Sequence, residues 1–246
     1  MLSVNGITKY YDKNNGIRDI YFSCKNGEAT AIIGPNGVGK TTLLKIIAGV
    51  LRADEGSVLI DNSNTAEYEN RKQIGYMPDK MELASGLTVN NFLNMVCDYK
   101  YGGQFKEEMK QAVSEFGLTA YLNKSFHKLS MGNQRKTAII AAFLGFPPLI
   151  ILDEPTNGVD TSGIIALKQT IKSAKALGSI VLVSSHILDF ASGISDSGIF
   201  FKNGRIAAIE KDSRKLEEKY QSLYMNNKTC FSGMQAIQHH SDSADK

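Results

Sequence analysis

The stretch IIGPNGVGKTTLLKII, residues 32–47, constrains the fold more than any other part of the chain. Gly34, Gly39, Lys40 and Thr41 match G-x-x-x-x-G-K-[ST], with an apolar run before them and an amphipathic run after. That order requires a buried strand, a tight loop and a helix, which is the unit that feeds a parallel sheet. From average residue usage, a chain of this length would meet the four fixed positions by accident roughly once in a hundred. The chemistry agrees with the pattern. Glycines let successive backbone N–H groups turn toward a phosphate, Lys40 adds a compact positive charge, Thr41 offers a hydroxyl to Mg²⁺, and the helix N-terminus adds its dipole. Asn36, Gly37 and Thr42 complete the loop. The loop is expected to hold a nucleoside triphosphate.

The flanking sequence fits the same architecture. Segments 2–10 and 17–24 read as strands, with turn residues Asn14–Asn15–Gly16 between them. EATAIIG is the strand before the loop, Thr41 to Gly49 the helix after it, and GSVLID and QIGYM further strands around a polar piece, Asn62 to Lys72. TVNNFLNMV, QFKEEMKQAVSEFG and NQRKTAIIAAFLG carry helical periodicity with Gly102–Gly103 as a loop, so a helical subdomain is expected at about 80–145. PPLIILDEP and GSIVLVSSH are short buried strands around a helix from about Ser162 to Leu177, and IFFKNGRIAAI is a hairpin turning at Asn203–Gly204. The expected fold class is α/β: a mostly parallel P-loop NTPase-type core sheet, an antiparallel β subdomain and the inserted helices. One domain is expected over 1–225, with a loose polar tail over 226–246 that includes His239 and His240.

Composition excludes less than the motif does. The chain has 246 residues, 42% of them hydrophobic, enough for a substantial core. Lys+Arg 28 against Asp+Glu 25 gives a formal charge of only +3, without the basic blocks that nucleic-acid binding favours. Cys24, Cys97 and Cys230 are odd in number and far apart, which fits reduced thiols. MLSVNGITKYYDKN lacks the pattern of a signal peptide, and no apolar run approaches the roughly 18 residues of a membrane span. A membrane role would need a second chain to provide the passage.

A phosphate loop needs a carboxylate for the metal and a group to activate water. LIILDEP supplies both: Asp153, after four apolar residues, as the Walker B aspartate on Mg²⁺, and Glu154 as general base.

Between these elements lies LSMGNQRK, residues 129–136. Together with Gly34–Thr42, LIILDEP, NGVD and SSH in this order, it resembles the nucleotide-binding domain of ATP-binding cassette (ABC) transporters, over about residues 2–210. The resemblance implies a head-to-tail dimer in which each ATP lies between the phosphate loop of one subunit and the signature of the other. It makes Ser130 and Gly132 contacts to γ-phosphate in trans, Asp160 a link across the interface, His186 the switch histidine, and Tyr11, rather than Tyr10, the ring that stacks on adenine. It implies ATP and Mg²⁺ as cofactors, transmembrane permease subunits and a second ATP-binding subunit as partners, no direct nucleic acid, and a cytoplasmic place on the inner face of the membrane.

Two positions depart from the family pattern. Asp79, in IGYMPDK, stands where a glutamine usually reaches the metal and couples to the permease. An acidic residue here resembles peptide-handling and lantibiotic self-protection transporters; the shorter, charged Asp79 is expected either to contact the metal through an extra water or not to reach it, and to serve as the coupling residue. Met131 replaces the first signature glycine and Asn133 a glutamine, while Ser130, Gly132 and Gln134 remain. With both carboxylates and His186 retained, the site is expected to hydrolyse ATP. The compact helical region and the helical extension SRKLEEKYQSLY resemble bacterial export cassettes, ABC-2-type ATP-binding subunits among them. The alternatives are a soluble ABC ATPase acting on nucleic acid or ribosomes, which usually carries two cassettes or a coiled-coil insertion, and a non-hydrolytic nucleotide sensor, which would need a damaged catalytic set.

Overall fold

The computed structural model describes residues 1–12, 15–81 and 86–225. Cys230, His239, His240 and the expected tail from Asn226 lie outside them, as does Asn14 of the first turn. Along the chain, β1 (Leu2–Tyr10) and β2 (Gly16–Cys24) are followed by β3 (Ala29–Ile33) and α1 (Lys40–Ile47). Next come β4 (Glu55–Ile60), the two-residue β5 (Ser63–Asn64) and β6 (Ile74–Met77), then helices α2 (Val89–Tyr101), α3 (Lys106–Glu115) and α4 (Met131–Phe143). The chain returns through β7 (Leu149–Asp153), α5 (Thr161–Ala176), β8 (Ile180–Ser185) and α6 (Leu188–Ile194), and closes with β9 (Ser197–Lys202), β10 (Arg205–Glu210) and α7 (Leu216–Tyr224).

Two sheets result. The core sheet has the order β10-β9-β3-β8-β7-β6, parallel throughout except for β10, which pairs antiparallel with β9. The second sheet, β2-β1-β4-β5, is antiparallel. The expected fold class is therefore what the chain adopts.

Alternation along the buried strands shows why the core sheet needs cover on both faces. Leu149 and Ile151 of β7, with Ile180 and Leu182 of β8, face a cluster shared with Leu43, Leu44 and Ile47 of α1 and with Leu2, Val4 and Ile20 of the antiparallel sheet. Ile150 and Leu152, with Val181 and Val183, face the opposite cluster, built with Leu167 and Ile171 of α5 and with Leu93, Ile139 and Phe143 of α2 and α4. Each such side chain contributes about 1.5–3 kcal/mol of burial, so both layers are held firmly. The consequence is positional: α1 is clamped between two sheets, and its N-terminal loop opens at the C-terminal ends of β3 and β7, where open α/β sheets bind ligands.

Local chemistry sets the ends of these elements. Thr88, Ser130 and Asp160 cap α2, α4 and α5, each accepting the backbone N–H three residues on. Asn203 and Gly204 both adopt positive φ, which gives the tight hairpin between β9 and β10. Two elements differ from expectation. Residues 62–72, read as a polar spacer, contain β5 and the start of a 3-10 turn, Tyr68–Gln73. The segment after His186, left unassigned from sequence, forms α6.

Candidate active site

The mouth of the glycine loop is a cavity of about 320 Å³ lined by Asn36, Gly37, Gly39, Lys40, Thr41, Thr42, Asp79, Glu154, Asn157 and His186. Nine of these ten were expected from sequence; Asn157 was not. Gly39 shows why the loop excludes larger residues: its φ is +106°, and a Cβ there would lie 2.3 Å from the Ile17 side chain. Lys40, buried at the floor, donates to the carbonyls of Gly34 (2.7 Å) and Pro35 (3.1 Å), while its ammonium lies 3.6 Å from Glu154 Oε1.

Glu154 has the most determined geometry of the group. It follows β7 with φ +50°, a left-handed conformation unusual for a side chain of this kind. Its N–H donates to Ser184 Oγ (2.8 Å), and its carbonyl accepts from Arg135 Nη1 (2.9 Å). Glu154 Oε2 is 2.8 Å from His186 Nδ1, whereas Oε1 is buried without a hydrogen-bond partner.

Asp153 lies beneath, fully buried, with Oδ1 accepting from Ser184 Oγ at 2.6 Å and Oδ2 unpartnered. Burial holds its carboxyl above the ordinary carboxylate range, against hydrogen bonds from Ser184 and Thr41 that pull the other way. An unpaired, desolvated carboxylate oxygen beside a threonine hydroxyl is a chemically sound donor pair for a hard cation. Among the described residues no group of three or more His, Cys, Asp or Glu side chains could hold a metal alone. The pair fits a magnesium ion, which Thr41 and Asp153 would help to hold.

The other expected residues lie around this centre. Tyr11 is exposed at the rim, its hydroxyl 3.2 Å from Thr42 Oγ1. Ser130, Gly132 and Asp160 do not line the cavity. Ser130 Oγ accepts the Asn133 N–H at 3.4 Å. The altered signature has a steric basis: Met131 is 63% exposed, whereas a Cβ on Gly132 would stand 2.2 Å from the Gly158 carbonyl oxygen. Position 131 therefore tolerates a side chain and 132 does not. Asp160 joins Lys136 at 2.8 Å and caps α5 through the Gly163 N–H; these contacts hold its carboxyl down at about 2.

Asp79 has a second partner that its reading as a metal contact did not include. It borders the cavity, but Oδ1 is taken by Arg135 Nη2 at 2.9 Å. Arg135 was overlooked from sequence, where it reads as one more basic residue on the signature helix.

The family model described as "ABC transporter" matches residues 17–157. The zinc uptake system ATP-binding protein ZurA of Listeria innocua is 33% identical over 184 residues, covering 70% of each chain. The lantibiotic transport ATP-binding protein SrtF of Streptococcus pyogenes is 30% identical, over 94% of this chain and 98% of its own. The SkfA peptide export ATP-binding protein SkfE of Bacillus subtilis is 29% identical, over 84% and 87%. Among solved structures, the ATP-binding subunit of an ABC transporter superposes with a TM-score of 0.81 at 30% identity, covering 93% of this chain and 95% of that one. A dimeric ATP-binding cassette in a post-hydrolysis state with ADP and Pi superposes with a TM-score of 0.76 at 27% identity, over 86% and 98%.

Proposed function

This chain belongs to the ABC transporter family as an ATP-binding, ATP-hydrolysing subunit, and we propose that it drives a bacterial exporter of peptide cargo through separate transmembrane subunits. ABC ATP-binding subunits dimerise and work with permease components; which permease this one serves, and whether its partner cassette is a second copy, is part of the proposal. The alignment with SrtF runs nearly end to end, while that with ZurA covers 70%, and this favours export over uptake. The alternative, an ATPase acting on nucleic acid or ribosomes, has no support among these relatives. The described residues contain no helix long and apolar enough to cross a membrane.

In the proposed reaction, Lys40 exchanges the carbonyls of Gly34 and Pro35 for the β- and γ-phosphate oxygens of ATP, which stay within reach of the same ammonium. The loop N–H groups of Gly37, Gly39 and Thr42 orient the phosphates, and Tyr11 stacks on the adenine. Bound Mg²⁺, held by Thr41 and through water by Asp153, would neutralise the charge that builds on the transferred group. Glu154 Oε1 takes the proton of the attacking water, while His186 fixes the other oxygen and reaches the γ-phosphate. Ser130 and Gly132 of the second subunit close over that phosphate, and Asp160 links the two sites. The helices over about 80–145 carry the docking surface for the permease. The whole cassette is read as spanning 1–225.

The observation that carries the reading is Glu154 Oε1, buried without a hydrogen-bond partner and 3.6 Å from the Lys40 ammonium at the mouth of the loop. The test is a pull-down of tagged protein from gently solubilised membranes with ATP and vanadate. Stoichiometric recovery of a polytopic membrane protein supports the reading; recovery of ribosomes or nucleic acid alone overturns it.

A further inference from the structure

Arg135 is nearly buried on α4, its side chain 10% exposed, and its two terminal nitrogens point to different parts of the molecule. Nη1 donates to the carbonyl of Glu154 at 2.9 Å, and Nη2 pairs with Asp79 Oδ1 at 2.9 Å. The guanidinium is planar and rigid, so these two contacts fix the separation of the Glu154 backbone from the segment that follows β6. Glu154 needs such a hold, because its positive φ is strained: its N–H donates to Ser184 Oγ, and its carbonyl accepts from Arg135 at 2.9 Å and, at the longer distance of 3.4 Å, from the Asn157 N–H.

The same geometry accounts for the unusual residue at 79. A nearly buried guanidinium requires a negative partner, and a glutamine at 79 would leave Arg135 without one. Aspartate and arginine are therefore two halves of one ion pair.

We propose that Arg135 is a positioning residue for hydrolysis: it holds Glu154 in its reactive conformation, and Asp79 is the counter-ion that fixes the guanidinium in place. This rests on Glu154 being the general base.

The test uses the full chain and begins with the wild-type ATPase rate; absence of hydrolysis there would count against the proposed function, whatever the variants do. Arg135→Lys keeps a positive charge opposite Asp79 but loses the second arm. It is expected to lower kcat about tenfold or more, with KM for ATP and melting temperature held near wild type, because misplacement of a reacting group acts on the rate. Wild-type kcat in this variant overturns the proposal. If Arg135→Lys melts early, the decision passes to Asp79→Gln, Arg135→Gln and their double variant. A double variant faster than either single establishes the pair as one unit, and a double loss equal to the product of the two single losses refutes it.

Discussion

Replacing Gly132 with alanine tests whether the altered signature keeps its second glycine for a steric reason. The new Cβ would lie 2.2 Å from the Gly158 carbonyl oxygen and 3.2 Å from its carbon. Contacts of this kind essentially never fall below 3.0 Å, so the start of α4 and the segment before Asp160 must separate by at least about 0.8 Å. Neither side can rotate away, since the opposing atoms belong to the backbone. Overpacking costs about 1–3 kcal/mol, and backbone against backbone belongs at the upper end. For a chain of this length about 3 kcal/mol lowers the melting temperature by roughly 6–12 °C. The shift also moves Ser130, and a displacement near 1 Å can cost on the order of 10² in rate. Differential scanning fluorimetry and phosphate release would read both effects. Met131→Ala is the control: its side chain is 63% exposed, and the change should stay within about 0.5 kcal/mol. A Gly132→Ala protein melting within about 2 °C of wild type would refute the steric argument.

Asp153→Asn removes a carboxyl whose folded-state pKa is raised by burial. A group raised in this way destabilises the folded state once pH passes its folded pKa, so the variant should melt above wild type near pH 8, with the gap closing toward pH 4. Hydrolysis of Mg-ATP should be lost, and a lower melting temperature near pH 8 would contradict the sign. Lys100, on α2, donates to the Ile74 carbonyl and is lowered by burial from 10.5 to about 8. Over that window the unfolded chain binds the extra proton, so wild-type stability should rise with pH and Lys100→Met should flatten the rise; equal slopes in urea unfolding would refute this. Tyr11→Ala should weaken ATP binding about tenfold, the order of a lost aromatic stack, yet leave tripolyphosphate affinity unchanged. Equal loss for both ligands, measured by calorimetry, would remove Tyr11 from the adenine.

What could be read from sequence was the part encoded locally. The glycine loop declares itself by four residues, and β3, β7 and β8 are apolar runs bounded by polar residues and turns, so periodicity and motif agreed. Capped helices such as α4 and α5 were visible for the same reason. Where tertiary contacts decide, sequence said little. Helix α6 has seven residues and no side-chain cap, and its Phe190, Ala191 and Ile194 are ordered by packing. Strand β5 exists through its pairing with β4 alone. In the site, Ser184 sits one residue before the SH of the noticed SSH, but its bridge between Asp153 and Glu154 spans about thirty residues. Arg135 is the clearest case: its partners are 56 and 19 residues away, and only the fold shows that it is buried rather than solvated. The one hint was indirect, an aspartate at 79 where the resemblance led to glutamine.

The central claim is that two copies of this site, or this site and a close relative's, close on ATP and reopen on hydrolysis. Sedimentation velocity of the Glu154→Gln variant with Mg-ATP tests it directly, since loss of a general base slows hydrolysis by about 10²–10⁴ and leaves binding intact. The account predicts a dimer with two bound ATP molecules, returning to monomer when nucleotide is removed. A protein that binds ATP yet stays monomeric at every concentration, without a partner cassette to join it, would contradict the claim.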